Sequence, residues 1–176
     1  AESGESYFYS YIKTKKVIEQ NPSLEVIFIE FTNNQIKASM DKWIWNDNYL
    51  NYRYPRYSPF MDIPDKALLA MNNFDGFIAH SPLSAKQNLG RILARNFNYS
   101  DNIGGYMHLD RNKTDSLLKT AKKIIPINDY SLCENNLAYL NKIIKYCKEN
   151  GKKVILIRSP QHQYYSGYSN ESNYQK

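Results

Sequence analysis

Long apolar runs, signal-peptide features and internal repeats are all missing from this sequence of 176 residues. No apolar run approaches the roughly 20 residues needed to cross a bilayer, so no membrane span is expected within it. The opening AESGES does not have the basic, apolar and small-residue regions of a signal peptide. No repeat is visible, so a repeat architecture is not expected.

Cysteine and histidine are scarce, which limits disulfide and metal chemistry. Cys133 and Cys147 fall in or beside one predicted helix, and about 14 helical residues at about 1.5 Å each separate them by roughly 21 Å. That distance is beyond disulfide reach, and free thiols fit either a reducing compartment or a disulfide-free periplasmic protein. His108 and Asp110 lie close in sequence, but a metal site needs three or more ligands. Neither a metal nor another cofactor is expected.

The composition indicates a folded body. Hydrophobic residues make up 42% and charged residues 23% of the chain, close to average globular usage. The simplest organisation is one domain over residues 1–176, with residues 165–176 as a loosely held tail. The net charge of +6 permits attraction to anionic partners. However, the lysines are spread over several segments, as on solvated helix faces, so no nucleic-acid partner is expected.

Apolar periodicity predicts helices separated by two strands. The runs EVIFIEF and KVILI are continuous, β-branched and apolar, which predicts strands buried on both faces. Residues 32–63 are aromatic and broken by prolines, which indicates a long loop with some helix from about residue 35 to residue 44. Helices are predicted at residues 7–20, 64–79 and 82–97 and around the apolar stripe from Leu137 to Cys147.

The order of these elements predicts the fold class. The predicted order is helix, buried strand, helical middle, helix and buried strand. This order is typical of a parallel α/β sheet covered on both faces. Such a layered sheet normally begins with a strand, whereas this chain begins with a helix. We therefore expect a first strand upstream of Ala1.

Two polar stretches follow the predicted strands. In open parallel α/β sheets, ligands bind beyond the carboxyl ends of the strands. TNNQ (residues 32–35) follows the first strand, and SPQH (residues 159–162) follows the last. These two stretches are the candidate site.

The pattern of a buried strand followed by Asn33, and a final strand followed by a turn that ends in His162, resembles the SGNH (GDSL-type) hydrolases. The resemblance implies a flavodoxin-like three-layer α/β/α sandwich with a parallel sheet. It also implies an esterase or acyltransferase that acts on an acylated small molecule or glycan. His162 would be the base, Asn33 and Gly4 the oxyanion donors, and a serine upstream of Ala1 the nucleophile.

The sequence departs from the family pattern at three points. The Gly-Asp-Ser block is not present, Ser159 stands where the family has an aspartate, and Phe31 stands where it has a glycine. A backbone carbonyl or another carboxylate would then have to orient His162. The resemblance further implies a periplasmic or envelope location, near a membrane through a segment upstream of Ala1, while a cytoplasmic location stays open.

The candidate residues also have plainer interpretations. Asn33 and Asn34 suit Asx turns at the end of a strand, although Asn34 is also assigned to substrate binding. His162 suits a surface loop, and Gly4 suits a position just before a helix. Ser3 and Ser6 suit helix caps.

The alternative function is a non-catalytic α/β module that binds a polysaccharide or a protein partner. The segment NYRYPRY alternates aromatic rings with arginines, and Tyr52, Arg53 and Arg56 are its candidate binding residues. The plainer interpretation is that the tyrosine rings pack a long loop against the body and the arginines are solvated. The oligomeric state is left open by the sequence.

Overall fold

The computed structural model describes residues 5–33, 35–95 and 131–158. Within these ranges 69% of the residues are helical, and the only sheet has two strands. The elements are α1 (Tyr7–Gln20), β1 (Val26–Glu30), α2 (Ser39–Trp45), α3 (Asp47–Tyr57), a 3-10 helix (Ser58–Phe60), α4 (Ile63–Asn72), α5 (Phe74–Leu93), α6 (Glu134–Glu149) and β2 (Lys153–Ile157).

The two predicted strands are present and pair in parallel. Val26 lies opposite Lys153 and Glu30 opposite Ile157, and the Phe31 amide donates to the Ile157 carbonyl at 2.8 Å. The predicted flavodoxin-like three-layer α/β/α sandwich is nevertheless wrong for the described ranges, which are mostly helical. Residues 39–93 are largely consecutive helices, so they supply no further strand to extend the sheet.

The prediction that both strands are buried on both faces is also wrong. Ile29 is buried, and Ile27 and Val154 pack against the hydrophobic core from the same side of the sheet. Phe28 points to the other side and is 61% exposed. A continuous apolar run does not by itself show that both faces are covered.

The core is built between α1 and α6. Phe8 and Ile12 on α1 and Ile143 on α6 are fully buried. The Phe8 ring meets the rings of Tyr9 and Tyr139 edge to face, with centroids 4.9 Å and 4.8 Å away. Such aromatic pairs add stability beyond the area they bury, and Ile18 extends the contact with the core to the last turns of α1.

The predicted long loop at residues 32–63 is instead largely helical. Leu50, Tyr54 and Tyr57 recur at helical spacing on α3 and are buried. The side chain of Asn46 caps this helix by accepting from the Asn48 amide at 3.0 Å. Pro55 lies near the end of α3, where tertiary packing overrides its tendency to break the helix.

The boundary between α4 and α5 also differs from the prediction. The helices separate at Asn73, and Pro82 lies inside α5. The Asn73 side chain accepts from the Gly76 amide at 2.9 Å and donates to the Trp45 carbonyl at 2.7 Å. A Cβ at Gly76 would collide with Asn73 and Asp47, so the close approach needs glycine. Among the helices of the described ranges, none has the length and hydropathy of a membrane-spanning segment.

Candidate functional site

The candidate site lies at the carboxyl edge of the two-stranded sheet. Thr32 and Asn33 follow β1 after Phe31 and are buried, with Asn33 only 1% exposed. Arg158 directly follows β2. Because Glu30 and Ile157 are register partners in a parallel pair, both chain segments leave the sheet at the same edge.

The amino-terminal end of α1 reaches the same edge. The Tyr7 hydroxyl donates to the Glu30 carbonyl at 2.7 Å, which ties the first turn of the helix to the last residue of β1. Ser6 precedes this turn and is fully buried, yet its side chain makes no capping bond. Among the described residues its hydroxyl oxygen has no hydrogen-bond partner. The first-turn N–H groups and the helix dipole make this end of α1 electropositive.

Asn136 joins the helix end to the loop after β1. Its side-chain oxygen accepts from the Tyr7 amide at 2.6 Å, and its side-chain nitrogen donates to the Gln35 carbonyl at 2.9 Å. The residue is fully buried. The sequence interpretation did not single out Asn136, because an asparagine near the start of a helix carries no signal for a partner 129 residues away.

Asp41 holds the start of α6 against this loop. Its carboxylate accepts from the amides of Asn135 and Asn136 at 3.1 Å and 2.8 Å, and from the Asn135 side chain at 3.0 Å. An acidic group at a helix amino terminus is favoured by the dipole and by the unpaired N–H groups. The residues after β1 are therefore fixed from a helix that is remote in sequence.

Cys133 is a buried structural thiol at this junction. Its Sγ lies 3.1 Å from the Gln35 carbonyl, to which it donates. Burial, together with the nearby Asp41 carboxylate, raises the pKa of Cys133 to about 11. The thiol form therefore dominates at neutral pH, which argues against a nucleophilic role.

The burial of Cys133 leads to a reactivity prediction. With a pKa of about 11, the thiolate fraction at pH 8 is on the order of one in a thousand, so native Cys133 reacts very slowly with a thiol reagent. Burial also raises the pKa of Cys147. Titration with an aromatic disulfide should release the aromatic thiolate slowly from the native protein. In urea, two equivalents of the thiolate per chain should be released rapidly. Rapid native reaction at Cys133 would contradict its buried position.

The predicted Tyr/Arg binding segment lies on α3 rather than on a loop. Arg53 is 1% exposed, and its guanidinium carbon lies 5.1 Å from the ring centroids of both Tyr9 and Tyr49. Tyr52 is 41% exposed, and Arg56 is half-buried. The rings do pack this segment against the body, but Arg53 packs with them instead of being solvated.

A second buried polar cluster links α1, α4 and α6. The Tyr139 hydroxyl donates to Asp65 at 2.7 Å, and Asp65 in turn accepts from the Asp62 amide at 3.2 Å at the start of α4. Lys15 pairs with Asp62 at 2.5 Å. Burial, and then the bond to Asp65, raises the pKa of Tyr139, so its hydroxyl stays a donor. This cluster fixes helices rather than presenting a reactive group.

Several predicted residues lie outside the described ranges. These are Gly4, Asn34, His108, Asp110, Ser159, His162 and the tail at residues 165–176. Within the described ranges, no group of three or more histidine, cysteine, aspartate or glutamate side chains could hold a metal ion. Of the proposed triad and oxyanion residues, the structure therefore positions Asn33.

Comparison of the chain with protein-family models, curated proteins and solved structures finds no match in any of the three.

Proposed function

We propose that this chain contributes the oxyanion donor and the general base of an acyl-ester hydrolase or acyltransferase. The observation that carries the proposal is the meeting of three chain segments at one sheet edge. The buried Asn33 follows β1, the segment leading to His162 follows β2, and the electropositive end of α1 is bonded to β1. The proposal does not depend on the three-layer fold.

The proposed chemistry needs a serine nucleophile from a segment upstream of Ala1. Its Oγ would attack the acyl carbonyl carbon while its proton passes to the imidazole of His162. The resulting oxyanion would accept hydrogen bonds from the side-chain amide of Asn33 and from the backbone N–H of Gly4. Collapse would then expel the alkoxide, which takes the proton from the imidazolium. Water or an acceptor hydroxyl would release the acyl group in the reverse sequence.

The substrate class is an acyl ester on a small molecule or a glycan. The alternative binding module has less support, because Arg53 is packed beneath aromatic rings and is not available to a polysaccharide. Tyr52 alone offers only a limited exposed ring.

The test begins with the coding sequence immediately upstream of Ala1. If it encodes a strand followed by Gly-x-Ser, the longer chain should hydrolyse p-nitrophenyl acetate, and a fluorophosphonate probe should label that serine with loss of fluoride. A His162→Ala variant should lose both reactions while keeping its circular dichroism spectrum. An upstream sequence without a serine after a strand, or unchanged labelling in the variant, would refute the proposal.

A further inference from the structure

Helix α5 presents a line of apolar side chains to solvent. Phe74, Ile78, Leu89 and Ile92 are 63%, 51%, 57% and 59% exposed. Residues at these spacings fall on one side of an α-helix. The 20 residues of α5 extend for roughly 30 Å, and the stripe has one pair of apolar residues near each end of the helix.

The side of α5 that faces the body is polar in its second half, whereas Phe77 in its first half packs against the core and the Tyr54 ring. Ser84 is buried and shares a short hydrogen bond with Ser58, and the Asn88 side chain donates to the Ser84 hydroxyl at 3.2 Å. The Ser81 hydroxyl donates to the Phe77 carbonyl at 2.7 Å. A surface helix ordinarily buries its apolar side and exposes its polar side, and the second half of α5 has the reverse arrangement.

The charges around the second half of the stripe have one sign, whereas Asp75 lies beside Phe74 at its start. From residue 76 to residue 95 the sequence carries Lys86, Arg91 and Arg95 and no carboxylate. Lys86 and Arg95 are exposed, close along the helix to Leu89 and Ile92. The second half of α5 therefore combines exposed apolar side chains with cations.

We propose that α5 binds an anionic lipid surface, lying in the plane of the interface with its apolar stripe among the acyl chains. Apolar burial favours insertion of the stripe, and the cations pair with anionic headgroups. The helix is not apolar enough to cross the bilayer, which agrees with an in-plane position. This surface is independent of the candidate site at the sheet edge.

The test is flotation of the purified chain with lipid vesicles. The chain should float with equimolar phosphatidylglycerol and phosphatidylcholine vesicles, bind phosphatidylcholine alone less, and dissociate as salt screens the cations. The double variant Leu89→Glu/Ile92→Glu should bind anionic vesicles at least about tenfold more weakly.

A matched control separates apolar insertion from charge. Gln87 is exposed on the same helix but lies outside the stripe. Two single variants are compared. Gln87→Glu adds one negative charge outside the stripe, and Leu89→Glu adds one within it. Leu89→Glu should weaken binding several-fold more than Gln87→Glu, with unchanged thermal melting in both.

Three outcomes would overturn the proposal. They are failure to float with either vesicle, equal binding by the double variant, and a stable dimer in the absence of lipid that the double variant disrupts. The last result would assign the stripe to a second copy of the chain.

Discussion

Replacing Asn136 by leucine should lower the free energy of unfolding by about 2–4 kcal/mol. The side chain is fully buried, and it both accepts from the Tyr7 amide and donates to the Gln35 carbonyl. Leucine has a similar volume but can do neither, so buried polar groups lose partners that water cannot replace. Urea unfolding followed by far-ultraviolet circular dichroism measures the loss.

The adjacent residue provides the control. Asn135 is half-buried, and its side chain makes one bond to Asp41, which keeps its bonds to the backbone. Asn135→Leu should therefore cost less than about 1 kcal/mol. Equal losses in the two variants would mean that the link between α1 and the loop after β1 is not what stabilises this junction.

If a chain extended upstream of Ala1 has the proposed activity, replacing Asn33 by alanine in it should lower kcat by about a hundredfold to a thousandfold, with KM changed little. The expected loss in kcat without a change in KM follows from the proposed role, because an oxyanion donor stabilises charge that develops only in the transition state. Steady-state hydrolysis of p-nitrophenyl acetate gives both constants. Asn33→Asp should lose as much activity, since a carboxylate repels the oxyanion.

Stability has to be separated from activity in this experiment, because Asn33 is buried. Asn21→Ala serves as the control, since Asn21 is exposed and its side chain donates to the Val17 carbonyl near the end of its own helix. Its kcat should match that of the parent chain. If the activity of Asn33→Ala recovers at low temperature in step with its folded fraction, Asn33 has a structural role only.

The sequence predicted the local elements better than their assembly. The apolar periodicity predicted α1 and α6, and the β-branched runs predicted β1 and β2. These signals depend on residues within one element, so a single sequence contains them. The layered sandwich was an extrapolation from their order, and it required additional strands that the described ranges do not contain.

The errors in the middle of the chain have a common cause. The prolines predict a loop around Pro55 and a helix start at Pro82, yet both residues lie within helices. Tertiary packing of α3 against α5 outweighs the local cost of a proline in each. The burial of Arg53 was likewise not predictable from the local sequence, because the rings around it come partly from α1.

The candidate site was predictable only in part. The position of Asn33 after a strand followed from the general location of ligand sites in parallel sheets. Asn136 and Asp41 could not be found in this way, because their hydrogen bonds join segments that are adjacent only after folding. A polar side chain that supports a site from a distant helix has no local signature.

The pairing of the chain's early and late elements also has a consequence for biosynthesis. Tyr7 and its partner Asn136 are 129 residues apart, and β1 pairs with β2, which is made later still. At ordinary rates of translation, on the order of ten seconds separate the synthesis of α1 and β1 from the synthesis of these partners. During that interval the apolar run of β1 lacks its β2 partner. The nascent chain therefore carries an unpaired apolar strand edge until β2 has been synthesised.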